Sequence, residues 1–142
     1  LCAYAPWDGY SLAEMRRAAP RQPLMKAVER SADGLSYTID PSQVRDAFYH
    51  DCPEGTADFA LTYLTPQSIA AQETKIALGD GHRQTPRSYI RCSDDQTIPP
   101  EFQATMTKDC PATDVYEMST SHSPFFADPE GLAALIDQIL KD

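Results

Sequence analysis

The last third of the chain alternates two hydrophobic patterns. Short runs rich in apolar, aromatic and β-branched residues lie in RSYIRC and ATDVYEM, and each predicts a strand. After each run the apolar residues recur at helical spacing, first in PPEFQATMTKDC and then in DPEGLAALIDQILKD. The second helix is predicted to be capped by Asp128, to begin at Pro129 and to form an apolar stripe of Leu132, Leu135, Ile136 and Leu140. Strand, helix, strand and helix in this order predict parallel strands with crossover helices, and therefore an α/β fold.

Residues 9–85 show a different pattern, in which the start signals of short helices follow one another. The sequence SLAE has the form of a capping box, in which Ser11 and Glu14 satisfy each other's backbone amides. A small hairpin is predicted around Asp33-Gly34. Further helix starts are predicted at Asp40-Pro41, Pro53 and Thr65-Pro66. Helices this short predict a thin layer that is separate from the main core.

The first residues resemble neither of these blocks. LCAYA is predicted to be the end of a buried core strand, so the chain divides into residues 1–8, 9–85 and 86–142. The sequence starts without an initiator methionine or the basic region of a signal peptide. We therefore expect it to be a fragment, or a processed product, of a longer protein.

The composition favours one soluble globular domain. The chain has 142 residues, of which 42% are hydrophobic and 23% are charged. It carries 21 acidic and 12 basic side chains, which give a net charge of −9, and its densest basic pair is Arg16-Arg17. Nucleic acid and anionic membrane surfaces are therefore poor partners. No apolar run reaches the roughly 18 residues of a membrane span.

The four cysteines are widely spaced along the chain. Cys2, Cys52, Cys92 and Cys110 form no C-x-x-C pair, so no zinc site is indicated and no metal or cofactor is expected. We expect four buried thiols in a reducing compartment such as the cytoplasm, with a disulfide framework as the alternative.

Two polar loops follow the predicted strands of the last block. RSYIRC leads to Asp94 and Asp95, and ATDVYEM leads to STSHSPFF, which contains His122. The carboxyl ends of neighbouring parallel strands meet at one sheet edge, where α/β proteins place their ligand groups. A carboxylate there can fix the imidazole tautomer and leave the second ring nitrogen as a base. The same residue types also occur as turn formers, helix caps and solvated loop residues, and the pattern alone leaves both interpretations open. His50 and His82 lie outside such a pattern and are interpreted as surface residues, with a position in the wall of a cavity as the alternative for His50.

Longer stretches resemble a known family. YIRCSDDQTIPPEFQ and YEMSTSHSPFFADPEGLAALI are similar to the C-terminal end of the α/β-hydrolase subfamily that contains hydroxynitrile lyases, plant methylesterases and bacterial esterases. DGLSYTIDPSQVRDAFYHDCP and LTYLTPQ resemble the cap of that group, and LCAYAPWDGYSL resembles its crossing from core strand to cap. The resemblance covers the whole chain. It implies a helical cap over residues 9–85 and, over residues 86–142, the last core strands and helices of an α/β-hydrolase fold.

The resemblance also implies catalytic roles. In this family the acid precedes the proline of the PEFQ-like motif and the histidine precedes the PFF-like segment. These positions are Asp95 and His122 here, with Asp94 as the fallback for the acid. The implied activity is carboxylic-ester hydrolysis through a serine, histidine and aspartate triad, without metal or cofactor.

The nucleophile of the family, a serine in a G-x-S-x-G elbow, is missing from this sequence. GLSYT at 34–38 lacks the second glycine and is not followed at once by a helix. We therefore expect a complementary N-terminal chain or segment to supply the serine. A ligand-binding protein without catalysis is the alternative from another functional class.

The residues around His122 help to distinguish between the reactions and substrates known in this family. Hydroxynitrile lyases of this group have a lysine directly after the histidine, whereas this chain has Ser123, which favours a small-molecule ester as substrate over the lyase alternative. We expect Tyr63, Leu64 and Phe125 to line an apolar pocket. Phe126 is better explained by packing between cap and core.

Overall fold

The computed structural model describes residues 1–141. Its helices are, in chain order, α1 Leu12–Ala18, α2 Val44–Phe48, α3 Thr56–Leu61, α4 Ile69–Glu73, α5 Asp80–Gln84, α6 Pro100–Met106, α7 Pro124–Ala127 and α8 Pro129–Ile139. Its strands are β1 Val28–Arg30, β2 Ser36–Ile39, β3 Gln67–Ser68, β4 Tyr89–Cys92 and β5 Val115–Met118. Short 3₁₀ turns cover Pro23–Lys26, Pro41–Gln43 and Ala112–Asp114.

The last two strands form a parallel pair, as the sequence predicts. β4 and β5 align from Tyr89 opposite Val115 to Cys92 opposite Met118. Alternate residues of β4 face opposite sides of the sheet. Tyr89 packs in a cluster with α6, and Ile90 packs in a second cluster with α8. Helices therefore cover both faces of this pair, which confirms the predicted α/β arrangement.

The capping signals at the first predicted helices are confirmed. The Ser11 hydroxyl accepts from the Glu14 amide at 3.2 Å, and the Glu14 carboxylate accepts from the Ser11 amide at 2.8 Å. These bonds start α1, whose Met15 is buried in the cluster around Tyr89. Asp40 accepts from the Ser42 amide and starts a 3₁₀ turn that leads directly into α2.

Two other helix starts were predicted at the wrong residue. α3 begins at Thr56 rather than at Pro53, because Gly55 adopts a φ of +83° that no right-handed helix can contain. α4 begins at Ile69, after the cap Ser68, rather than at Thr65-Pro66. The residues in between are held in extended form because Gln67–Ser68 pairs with β2.

The predicted hairpin around Asp33-Gly34 is confirmed. β1 and β2 pair antiparallel, with Val28 opposite Ile39 and Arg30 opposite Tyr37. The turn is closed by Asp33, whose carboxylate accepts from the Ser31 hydroxyl and the Leu35 amide. β3 then adds a third antiparallel strand, so the layer over residues 9–85 contains a small sheet beside its helices.

The apolar stripe of α8 differs from the prediction. Leu132, Leu135 and Ile139 pack against the sheet, whereas Ile136 and Leu140 are exposed. The observed set and the predicted set of apolar residues both recur at helical spacing, so the sequence pattern alone does not show which face of α8 meets the sheet. The residues of β4 and β5 that meet the helix decide between them. The predicted cap is correct, since the Asp128 side chain accepts from the Gly131 amide.

The expectation of four buried free thiols is wrong. The structure joins Cys2 and Cys92, which are 90 residues apart, in a disulfide. They meet because the opening segment lies beside β4, where the Cys2 amide donates to the Ile90 carbonyl at 3.0 Å. Cys52 and Cys110 are free thiols. Burial, followed by the Asp51 carboxylate, raises the pKa of Cys52 to about 11, so this thiol is protonated at neutral pH.

Two negative findings concern residues 1–141 only. None of their helices is both long enough and apolar enough to cross a membrane. Within the same residues, His, Cys, Asp and Glu side chains form no group of three or more that could hold a metal ion.

Candidate active site

The loops that follow β4 and β5 lie side by side. The Ser93 amide donates to the Met118 carbonyl at 3.0 Å, and the Asp94 amide donates to the Thr120 carbonyl at 3.1 Å. These bonds extend the pairing of the two strands beyond their ends. Residues that follow each strand are therefore brought to one edge of the sheet, as the strand order predicts.

Asp95 and His122 meet at this edge. The Asp95 Oδ2 and the His122 Nδ1 are 2.9 Å apart, and the Asp95 side chain is fully buried. Asp94 is exposed to solvent, and the ring contact of 2.9 Å is made by Asp95, as the prediction that Asp95 rather than Asp94 bonds His122 requires. An ionised carboxylate only accepts hydrogen bonds, so the Nδ1–H of His122 donates and Nε2 is left as the basic nitrogen.

Local hydrogen bonds fix the Asp95 carboxylate. Its Oδ1 accepts from the Thr97 amide at 2.7 Å and from the Ile98 amide at 2.9 Å. Its Oδ2 accepts from the Gln103 amide group at 3.0 Å as well as from His122. Donors on both oxygens hold the carboxylate in one orientation and prevent rotation about the bond to the carboxyl group.

Gln103 is a supporting residue that sequence reasoning missed. It lies on α6, is fully buried, and its Oε1 accepts from the Cys92 amide at 3.0 Å. Its Nε2 donates to the Ile98 carbonyl at 2.8 Å and to Asp95. One side chain thus ties the end of β4, the turn after Asp95 and α6 together. Its signal in the sequence is a glutamine at an otherwise apolar position of a helix, next to Phe102.

We expect Gln103→Leu to lower the free energy of unfolding by about 2–3 kcal/mol, because buried amide and carbonyl groups of Cys92 and Ile98 lose their partner. Denaturant unfolding of the protein measures the change. Gln138→Leu, an exposed glutamine on α8, is the matched control and should change stability by about 0.5 kcal/mol or less. Equal effects of the two substitutions would contradict the role given to Gln103.

The ring of His122 is held from its other side by α2 and the segment after it. The Phe48 ring lies 5.6 Å from the imidazole, centroid to centroid. The neighbouring Ser121 amide donates to the Asp51 carboxylate at 2.6 Å, and the Ser121 hydroxyl donates to the Phe48 carbonyl at 3.3 Å. Burial acts to raise the pKa of Asp51, but the hydrogen bonds from Ser121 outweigh it and the pKa is lowered. Asp51 is therefore ionised at neutral pH and fixes the histidine loop.

His122 opens onto a cavity of about 660 Å³ between the helical layer and the core. Its side chain is 23% exposed, which leaves the ring accessible from the cavity. The walls are mostly apolar, with Leu12, Leu24, Val28 and Ile39 among them. A volume of this size suits a small organic ligand.

The expected pocket residues are only partly in place. Leu64 lines the cavity together with His122. Tyr63 and Phe125 do not belong to its lining and are 70% and 50% exposed, which corrects the expectation for both. Phe126 contacts the rings of Tyr49 and Phe59, in keeping with the packing interpretation.

The other histidines lie away from this arrangement. His82 is beside Arg87 near the start of β4, and His50 has a buried Nδ1 without a hydrogen-bond partner among the described residues. His50 is therefore less exposed than the surface interpretation implied. Neither histidine lines the cavity at His122.

No family model matches the chain. Methylesterase 17 of Arabidopsis thaliana is 33% identical over 71% of this chain and 38% of its own length. The α/β hydrolase nvfD of Aspergillus novofumigatus is 28% identical over 96% of this chain and 53% of its own length. A solved pyrethroid hydrolase from Sphingobium faniae superimposes on 96% of this chain with a TM-score of 0.80 and 22% identity, over 57% of its own chain. The chain has the fold of the C-terminal part of an α/β-hydrolase.

Polyneuridine aldehyde esterase, another solved α/β-hydrolase, gives a TM-score of 0.75 at 19% identity, over 96% of this chain and 59% of its own. The solved structures show the fold, and the curated relatives, whose names are methylesterase and α/β hydrolase, bear out the resemblance seen in the sequence. The chain spans about half, or less, of the length of the curated α/β-hydrolases that it matches. The edge with Asp95 and His122 lies in this shared part.

Proposed function

We propose that the complete protein hydrolyses small carboxylic esters through an acyl-serine intermediate. The observation that carries the proposal is the hydrogen bond of 2.9 Å between buried Asp95 and His122, whose ring faces a mostly apolar cavity. The relatives named methylesterase, esterase and hydrolase support the same chemistry. The ester would be bound in the cavity, with its carbonyl next to the imidazole.

In the proposed reaction His122 transfers one proton in each of two half-reactions. Its Nε2 takes the proton of the serine hydroxyl as the serine attacks the ester carbonyl, and then gives the proton to the departing alcohol. In the second half Nε2 takes a proton from a water molecule as the water attacks the acyl-serine, and gives that proton to the serine oxygen as the bond between the acyl carbon and this oxygen breaks and the acid leaves. Asp95 keeps the ring in the required tautomer and stabilises the imidazolium that forms in each half.

The serine has to come from outside these 142 residues, because the sequence contains no G-x-S-x-G elbow. We propose that a complementary N-terminal segment or chain supplies it, together with the donors for the oxyanion. The proposal predicts that the present residues alone do not turn over an ester, and that activity requires the complementary part.

Ester hydrolysis is favoured over hydroxynitrile cleavage by the residue after His122. Ser123 is buried and uncharged, and no lysine lines the described cavity, so no ammonium group stands directly after His122 to offset the charge of a leaving cyanide. The one cationic side chain of the described lining, Arg16, belongs to α1 and not to the histidine loop. Lys108 and Lys141 are both exposed.

A direct comparison of two substrates tests the proposal. We expect the complete protein to hydrolyse para-nitrophenyl acetate at neutral pH, to release little cyanide from mandelonitrile, and to lose the hydrolysis in His122→Ala. His82→Ala, which changes an imidazole outside the cavity, is the matched control and should retain the activity. Cyanide release that depends on His122, without ester hydrolysis, would replace the proposal with a lyase. Undiminished hydrolysis in His122→Ala would remove the role of His122.

A further inference from the structure

The cavity at His122 contains one permanently charged side chain. Arg16, from the last turn of α1, lines the cavity, and the described lining contains no aspartate or glutamate. The whole chain, in contrast, carries 21 acidic and 12 basic residues. The cavity therefore has the opposite charge from the rest of the molecule, and Arg16 provides it.

The guanidinium of Arg16 is only partly satisfied by the protein. Its Nη1 donates to the Gln72 side-chain oxygen at 3.4 Å, and the group lies 5.9 Å from the centre of the Tyr37 ring. Its Nε is buried and has no hydrogen-bond partner among residues 1–141. None of the ion pairs between described residues includes Arg16. Among residues 1–141, therefore, no carboxylate pairs with the Arg16 guanidinium beside this mostly apolar cavity.

Such an arrangement is costly unless something else supplies the missing acceptor. Arg16 is partly buried, and partial burial of a guanidinium without an anionic partner costs free energy, to which its buried, unpaired Nε donor adds. The neighbouring Arg17 has the same charge but is exposed to solvent, so it bears no such cost. The uncompensated charge lies where the proposed substrate would bind.

We infer that Arg16 determines specificity by binding a carboxylate at the far end of the substrate, so that the preferred ester is a monoester of a dicarboxylic acid. The inference rests on the proposed ester hydrolysis. Arg16 and His122 line one cavity of about 660 Å³, so a single small molecule can present its ester carbonyl to His122 and its carboxylate to Arg16. Arginine binds carboxylates through charge-assisted hydrogen bonds, often two at once.

The reaction consumes the monoester and one water and yields an alcohol, a dicarboxylate and one proton. The acyl–oxygen bond of the ester breaks, and the carboxylate held by Arg16 takes no part in the bond changes. Arg16 is therefore a binding residue, and its loss should reduce the preference of the enzyme for charged over neutral esters.

The test uses the monomethyl and dimethyl esters of linear dicarboxylic acids from succinic to sebacic acid. For the complete protein we measure the ratio of kcat/KM for each monoester to that for its dimethyl ester at neutral pH. Arg16→Gln should lower this ratio by about 10-fold to 100-fold at the best chain length, the range expected for a lost hydrogen bond to a charged group. Arg17→Gln removes the same charge one residue away and should change the ratio by no more than about twofold, since exposed charges act weakly.

Binding separates this inference from the proposed reaction. Monoester affinity is measured by calorimetry in the His122→Ala background, with and without Arg16→Gln, so that no turnover is needed. If the protein hydrolyses no ester but Arg16→Gln still abolishes monoester binding, ester hydrolysis is wrong and the carboxylate site stands. An unchanged kcat/KM ratio together with unchanged binding in Arg16→Gln would overturn the inference. Equal losses in Arg16→Gln and Arg17→Gln would also overturn it, because they would show a general effect of net charge.

Discussion

Replacing Asp95 with asparagine should reduce the kcat of the complete protein for esters by about 10⁴-fold, as in other enzymes in which a carboxylate orients the catalytic histidine. The change is nearly isosteric, but the asparagine amide can donate to His122 Nδ1. The proton of the ring then moves to Nε2, and this nitrogen no longer accepts the serine proton. Steady-state kinetics with para-nitrophenyl acetate measure the loss.

The adjacent Asp94 offers a matched control for this prediction. Asp94→Asn changes the same charge at the preceding residue, but Asp94 is exposed and its backbone amide, not its carboxylate, donates to the histidine loop. We expect its kcat to stay within a few-fold of the parent. A severe loss in Asp94→Asn with a mild one in Asp95→Asn would contradict the assignment of Asp95.

The encounter of Asp95 and His122 is predictable from the sequence because it depends on topology. Two parallel strands end at the same edge of their sheet, and the polar loops that follow must lie close together. The choice of Asp95 over Asp94 required the family resemblance. The side chains of adjacent loop residues point in different directions, and the hydrophobic pattern does not show which of them points toward His122. The Asp95 side chain is held toward the interior because its carboxylate accepts hydrogen bonds from the backbone amides of Thr97 and Ile98.

Other features depend on partners that are distant in the sequence. The start of α4 is delayed because Gln67–Ser68 pairs with β2, which no helix-start signal shows. The disulfide of Cys2 arises from the position of the opening segment beside β4. The expected position of Tyr63 in the cavity is not observed, since the residue follows the end of α3 at Leu61 and its ring is exposed.

The polar residues around the cavity were missed for a related reason. Arg16 lies beside Arg17 in a surface-like helix sequence, and only the packing of α1 over the core separates a cavity residue from a solvent-exposed one. Gln103 similarly becomes part of the site because α6 packs against the end of β4. Side chains that support a site from another element have little signal in a single sequence.

Phe102→Ala should lower the free energy of unfolding by about 3–5 kcal/mol, the range for removing a fully buried aromatic ring. Phe102 is 1% exposed, and its ring lies 6.2 Å from that of Tyr4 and 5.7 Å from that of Trp7, both edge to face. It belongs to the cluster that joins α1 to α6 and β4, so the cavity left by alanine loosens the contact between helical layer and core. Denaturant unfolding measures the loss.

Phe59→Ala removes a ring that is 54% exposed and should cost no more than about 1.5 kcal/mol. Equal losses for the two substitutions would contradict the central position of Phe102, because burial is the property that distinguishes them.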